Sequence, residues 1–232
     1  MKPPREDYIL VIPASHCLTF NSKFESGNLR KAIRVSEDEY QLLLDFDTET
    51  QSHTQWYYFS VQNQKANCTV RFTILNLGKQ KSLYQRGLKP LVYSVAKATQ
   101  LGLGWHRDGV GLTYGPSSWL CEGIEAKYQQ LSFRYTFRYA QDVVYFAHCY
   151  PYTYTDLCRL LETYQSTPHI AEILRVDTLC HTIAHNPCPL LTITEDVQAY
   201  TPWATELSLL SKSTAGRKAA RSKDVRKAKE GR

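Results

Sequence analysis

From Leu131 to Tyr139 apolar and polar residues alternate without a break. Leu131, Phe133, Tyr135, Phe137 and Tyr139 stand on one parity, and Ser132, Arg134, Thr136 and Arg138 on the other. Successive side chains of a strand point to opposite faces, so this stretch demands a strand with one face in a core and the other in water. Antiparallel sheets accommodate such strands, because one of their faces can stay wet. The chain before it reads the same way. Leu29, Lys31, Ile33 and Val35 share one parity, Tyr40, Leu42, Leu44 and Phe46 another, with Ser36-Glu37-Asp38 as the turn between them. Thr54 to Val61 is aromatic and β-rich, and a turn at Asn63-Gln64-Lys65 leads to Val70, Phe72 and Ile74. That pair is expected to form a hairpin. After a turn at Gln141-Asp142, Val143 to Tyr150 reads as a buried strand. Gly102-Leu103-Gly104-Trp105 lacks a following helix, as a phosphate loop would require, and reads as a loop between strands. The expected fold class is mainly β, an antiparallel sandwich over residues 8–150.

The pattern then changes. Thr155 or Asp156 can cap a helix whose apolar face uses Leu157, Leu160, Leu161 and Tyr164. A second helix or turn is expected near Ile170–Leu174. Val176–Ile183 and Pro189–Ile193 read as two strands joined at Asn186-Pro187.

Charge separates the body from the tail. Ser211 to Arg232 holds nine Lys or Arg and two Asp or Glu, a local charge of +7 against +6 for the whole chain, so residues 1–210 sum to −1. This segment has almost no apolar period and is expected to be disordered. It has three readings: solvated disorder, attraction to an acidic partner such as glutamate-rich tubulin tails or RNA, and nuclear import. The near-neutral body argues against nucleic-acid binding. Apolar runs fall far below the roughly 20 residues of a membrane span, and the charged Met1–Asp7 does not resemble a secretory signal. A soluble, cytoplasmic protein is the expectation, with the scattered cysteines 17, 68, 121, 149, 158, 180 and 188 reduced.

Several short motifs run through the chain in order: Phe24-Glu25-Ser26-Gly27-Asn28-Leu29, Gln55-Trp56-Tyr57-Tyr58-Phe59, Asn76-Leu77-Gly78-Lys79, Lys81-Ser82-Leu83-Tyr84, and the run from Phe146 through His148 and Tyr150-Pro151-Tyr152 to Leu157. Together they resemble the amino-terminal domain of the cytosolic carboxypeptidases, zinc exopeptidases that trim glutamate from tubulin tails. The resemblance covers roughly residues 17–194. It implies a β-sandwich at 8–150, the start of an α/β catalytic domain at 151–194, and a divergent tail at 195–232. It also implies tubulin or microtubules as partner, and a cytoplasmic, microtubule- or cilium-associated location. Members of the family hold zinc through His-Pro-Gly-Glu and a distant second His, with a Glu as general base and an Arg on the substrate carboxylate. No His follows His185 here. The expectation is a truncated, inactive chain without zinc of its own, in which no catalytic or metal-binding residue is assigned and substrate-binding residues stay open. The rival reading is a non-catalytic binding module for microtubules or another acidic partner.

Two groups imitate metal sites. His169-Ile170-Ala171-Glu172 has the His-x-x-Glu form but precedes the hairpin instead of following it. His181 and His185, flanked by Cys180 and Cys188, read as strand-end and turn residues, with an adventitious metal site as the alternative. Family members place Gly where His185 stands, so the turn is expected to be strained. Tyr150-Pro151-Tyr152-Thr153-Tyr154 reads either as an interdomain joint or as the rim of a substrate cleft. Ser117 and Ser132 lie in no nucleophile elbow.

Overall fold

The computed structural model describes residues 17–50, 53–119, 127–195 and 197. The expectations for residues 8–16 and for the basic tail lie outside them. The chain divides into two compact units between Tyr154 and Thr155.

The first unit contains β1 (Thr19–Asn21), β2 (Leu29–Arg34), β3 (Glu39–Leu44), β4 (Tyr58–Gln62), β5 (Cys68–Leu77), a 3-10 turn at Leu83–Arg86, β6 (Leu91–Ser94), α1 (Val95–Leu101), β7 (His106–Arg107), β8 (Val110–Pro116), β9 (Gln129–Phe137) and β10 (Val144–Ala147). These strands build two five-stranded sheets, ordered β1-β4-β10-β6-β7 and β2-β3-β5-β9-β8. The sandwich expectation is borne out, with one addition. β3 and β5 run parallel, pairing Tyr40 with Phe72 and Leu42 with Ile74.

The alternation from Leu131 onward is physically realised in β9, where Leu131, Phe133, Tyr135 and Phe137 are buried and Arg134 and Thr136 exposed. The inner faces of the two sheets meet in a core of aromatic rings. Phe146 of β10 lies 5.5 Å from Phe59 on its own sheet, and 5.3, 5.9 and 5.1 Å from Phe72, Phe133 and Tyr135 on the other, centroid to centroid. Most of these pairs are tilted or edge-on, the geometry favoured by the ring quadrupole.

The hairpin expected from the segments around Asn63-Gln64-Lys65 does not form. β4 pairs with β1 and β10, and β5 with β3 and β9, so the link between them crosses from one sheet to the other. Asn63 and Asn67 take left-handed φ values of 66° and 56°, and the buried Gln64 amide donates to the Asp142 carbonyl at 2.8 Å. Alternation reports which face is buried and not which strand is the neighbour. A hairpin and a crossover into the same core therefore leave one pattern.

Helix α1 was not anticipated. Ser94 Oγ accepts from Lys97 N at 3.0 Å, the Asp142 carboxylate accepts from Ala96 N at 2.9 Å and from the Ser94 hydroxyl, and Gly102 closes the helix at φ 64°. The stretch Gly102–Trp105 thus links a helix to β7, not strand to strand. Ser before Val95 and Gly after Leu101 were readable cap signals.

The second unit contains α2 (Tyr154–Ser166), α3 (Pro168–Ala171), β11 (Leu174–His181) and β12 (Pro187–Ile193). The expected helix and hairpin are present. α2 starts slightly early, leaving Asp156 in its first turn, and Leu161 is buried on it while Leu160 is exposed. β11 and β12 pair antiparallel with a register shift between Thr178 and Cys180. His185 sits in the turn at φ 63°, donating its N–H to the Thr182 carbonyl at 2.8 Å. The left-handed region costs an L-residue roughly 1–2 kcal/mol that glycine avoids.

Two outcomes follow. Phe146→Ala is expected to lower unfolding stability by about 3–5 kcal/mol, read by chemical denaturation, because the nest of rings leaves a cavity. His185→Gly is expected to slow amide exchange at the β11–β12 hairpin, gaining up to about 1 kcal/mol.

Candidate functional site

The motif residues use their side chains to clamp backbone. Asn28 donates to the Trp56 carbonyl at 2.7 Å and accepts from Tyr58 N at 3.1 Å, while its own carbonyl accepts from Asp45 N at 2.8 Å. One residue thereby ties the ends of β3 and β4, which lie in different sheets. Gly27 allows the chain to enter: a Cβ there would stand 2.3 Å from the Ser22 carbonyl oxygen. Asn76 works likewise, accepting from Leu44 N and donating to Leu44 O at 2.9 Å each. It does so where β5 loses register with β9, between Ile74 and Leu77. A buried backbone pair that the ladder has dropped is satisfied by an amide side chain. Thr54 adds bonds to the Asn76 carbonyl and, through its own carbonyl, to Gly78 N.

Ser82 and Gln85 form a capping box around the 3-10 turn, and Gly87 ends it at φ 91°. That turn carries Tyr84 inward. Tyr84 Oη lies 2.6 Å from Tyr57 Oη and 3.0 Å from His148 Nδ1. Tyr57 is fully buried. If its hydroxyl donates to Tyr84 and Tyr84 donates to His148, each proton finds an acceptor, and the ring is neutral with Nδ1 as acceptor. Burial pushes the Tyr84 phenol up to about 12, and it drives Tyr57 up as well. Burial also lowers the His148 pKa, helped by the charges of Arg107 and Lys79. Arg107 donates to the carbonyls of Lys89 at 2.6 Å and His148 at 3.1 Å, fixing the strand end that presents the ring. Tyr114 stacks on Tyr84 and donates to the Lys79 carbonyl. Lys79 in turn borders an open cleft of about 470 Å³ lined by Asp47, His53, Thr54, Gln55, Gly78, Lys79, Lys127 and Tyr128. The arrangement is a hydrogen-bonded relay connected, through Tyr114 and the Lys79 carbonyl, to a cleft lined in part by two lysines. Such a relay can position groups and hold a proton at His148.

Residues 20–149 match the family model of the cytosolic carboxypeptidase N-terminal domain. The chain belongs to this family. Human cytosolic carboxypeptidase 2 is 44% identical over 186 residues, covering 80% of this chain and 20% of the relative, and mouse cytosolic carboxypeptidase 3 is 42% identical over 185 residues, covering 78% and 18%. The chain thus spans about a fifth of the curated relatives it matches. Among solved structures, a metallo-carboxypeptidase from Burkholderia cenocepacia superposes with TM-score 0.54 at 18% identity, covering 80% of this chain and 42% of that one. One from Pseudomonas aeruginosa gives 0.50 at 20% identity, covering 78% and 41%. These two likenesses speak for the fold.

The cytosolic carboxypeptidase family implies zinc, and the described residues do not fit it: among them no three His, Cys, Asp or Glu side chains converge on a point where a metal could sit. His169 lies on α3 and Glu172 ends it, both exposed. His181 closes β11 and His185 occupies the turn, also exposed, whereas Cys180 and Cys188 are brought opposite each other as register partners. Tyr150 and Tyr152 are exposed. Ser132 accepts from the Thr73 hydroxyl at 3.1 Å, and Ser117 from Trp119 N at 3.1 Å. The relay of Tyr57, Tyr84 and His148 with Arg107 was not anticipated as a unit. The Ser82-x-x-Gln85 box before Gly87 was its one legible trace.

The relay predicts a pH dependence. A His whose folded pKa is lowered contributes stability that is complete above its unfolded value of about 6.5 and is lost as pH falls through the folded value. Unfolding free energy is expected to drop as pH goes from about 7 to 5, and His148→Gln to flatten that drop. Tyr84→Phe, which leaves the buried Tyr57 hydroxyl without its hydrogen-bond partner, is expected to cost about 1–3 kcal/mol at pH 7.5 in the same denaturation measurement.

Proposed function

We propose that the sandwich serves as the amino-terminal domain of a zinc metallocarboxypeptidase that removes glutamate from tubulin tails in the cytoplasm, at microtubules or cilia. The carrying observation is the family match over residues 20–149. In this reading the clamps at Asn28 and Asn76 and the Tyr57–Tyr84–His148 relay keep one end of the sandwich rigid, and the chemistry belongs to a catalytic domain that uses zinc. The 232-residue polypeptide by itself is inactive in this reading: no His follows His185, and His169 with Glu172 and His181 with His185 stand exposed on separate elements. Cytoplasmic residence is supported by the cytosolic relatives. Among the described residues no helix is long and apolar enough to cross a membrane, which says nothing of a β-barrel.

A second reading, a non-catalytic module that binds microtubules or another acidic partner, is favoured by the local +7 of residues 211–232. Assay of the purified chain on glutamylated peptides with added zinc is expected to show no glutamate release. Chelator-sensitive turnover would overturn the inactivity. Cosedimentation with microtubules, with and without residues 211–232, separates the readings: binding that depends on the tail supports the module, and no binding in either form removes it.

A further inference from the structure

β11 and β12 come back into register after the shift between Thr178 and Cys180, and the first pair beyond it is Cys180 opposite Cys188, followed by His181 opposite Pro187. Directly opposed residues of an antiparallel ladder have Cα atoms about 4.5–5.5 Å apart and side chains on the same face. A disulfide spans Cα separations of about 4.4–6.8 Å, the range that directly opposed ladder residues occupy, so the register brings the two cysteines into the range of a cross-strand bond. Both are free; Cys180 is exposed and Cys188 partly buried. Among the described cysteines this is the one pair joined by strand register. Cys68 faces Phe137 across its ladder, and Cys17, Cys149 and Cys158 lie outside the strands.

We infer that Cys180 and Cys188 are a reversible dithiol–disulfide site that exchanges with glutathione disulfide. One cysteine thiolate attacks a sulfur of glutathione disulfide, breaking that S–S bond and releasing one glutathione thiolate. The opposed cysteine thiolate then attacks the protein sulfur of the mixed disulfide and releases the second glutathione. Two protein thiols are oxidised, one glutathione disulfide is reduced by two electrons to two glutathiones, and the protons of the protein thiols end on the glutathiones. The bond would tie β11 to β12 between the register shift at Leu179 and the turn that His185 strains, where the ladder is shortest. Exposed cross-strand bonds are among the labile disulfides, so both forms are expected across a range of glutathione ratios.

The test uses the full chain, reduced, equilibrated in mixtures of reduced and oxidised glutathione, quenched with an alkylating agent and mapped by peptide mass spectrometry. A linked Cys180–Cys188 peptide is expected to rise with the oxidised fraction and to disappear on dithiothreitol. Cys180→Ser and Cys188→Ser should each abolish it while leaving amide exchange of the reduced hairpin unchanged; if a variant does not fold, the wild-type mapping decides. Separate glutathione adducts on the two cysteines at every ratio, or bridges to other cysteines or to a second chain, would overturn the inference. Zinc that shields both thiols from alkylation until a chelator is added would also overturn it, assigning the pair to metal binding.

Discussion

The sandwich depends on β10 holding an aromatic ring at its centre. β10 is the middle strand of its sheet, and Phe146 projects from it into a nest of rings from β4 on its own side and from β5 and β9 on the other. Fully burying such a side chain is worth about 1.5–3 kcal/mol, and its neighbours lose contacts as well when it goes. Because rings on both sheets share this contact, separating the sheets would break several favourable pairs at once. The core therefore behaves as a unit and not as two independently packed faces.

A wholly apolar core would not say how the two sheets are joined, and polar residues at its margins do that. Asp142 accepts at both ends of the β6–α1 junction, and Gln64 binds the Asp142 carbonyl, so the two sheet-to-sheet crossings at 63–67 and 138–143 hold each other. Asn28 and Asn76 satisfy backbone groups that the ladders leave open. A buried polar group is costly when unpaired and specific when paired, so these four side chains select one topology among those compatible with the same hydrophobic pattern. The same logic explains the relay of Tyr57, Tyr84 and His148. Its members are linked by two side-chain hydrogen bonds, and the burial that makes the core also disfavours the charged form of His148.

Much of the fold was legible along the chain. The alternation of β9, the parity of β3, and the helix followed by a hairpin after residue 154 appear where their periodicities put them. The parity expected of Leu29, Lys31, Ile33 and Val35 does not hold: β2 shifts register between Leu29 and Lys31, so Leu29 and Ala32 pack against the core and Val35 is exposed. The strain at His185 was legible too, since a residue with a Cβ stands where the turn needs a left-handed backbone. The candidate site was much less so. Tyr57, Tyr84, Arg107 and His148 are far apart in sequence, just before β4, in the 3-10 turn, at the end of β7 and just after β10, and no local spacing connects them. Helix α1 was missed because its seven residues, Val95–Leu101, offer too short a period to stand out against the surrounding strands.

What the sequence determined by itself was which residues face inward wherever a strand runs without a bulge, because a side chain's parity is local and follows from backbone geometry. It also carried the motifs, but of these only Gly27 answers a local demand, a turn that admits no Cβ; Asn28 and Asn76 serve backbone groups 28 to 32 residues away. Partnership was decided only in three dimensions. That β4 and β5 belong to opposite sheets, that β3 and β5 run parallel, that Tyr84 meets His148 and that Cys180 faces Cys188 all depend on which segments come to lie side by side. Burial pattern is indifferent to the identity of the neighbour, and the choice between neighbours rests on hydrogen bonds and ring contacts that exist only once the sheets have closed.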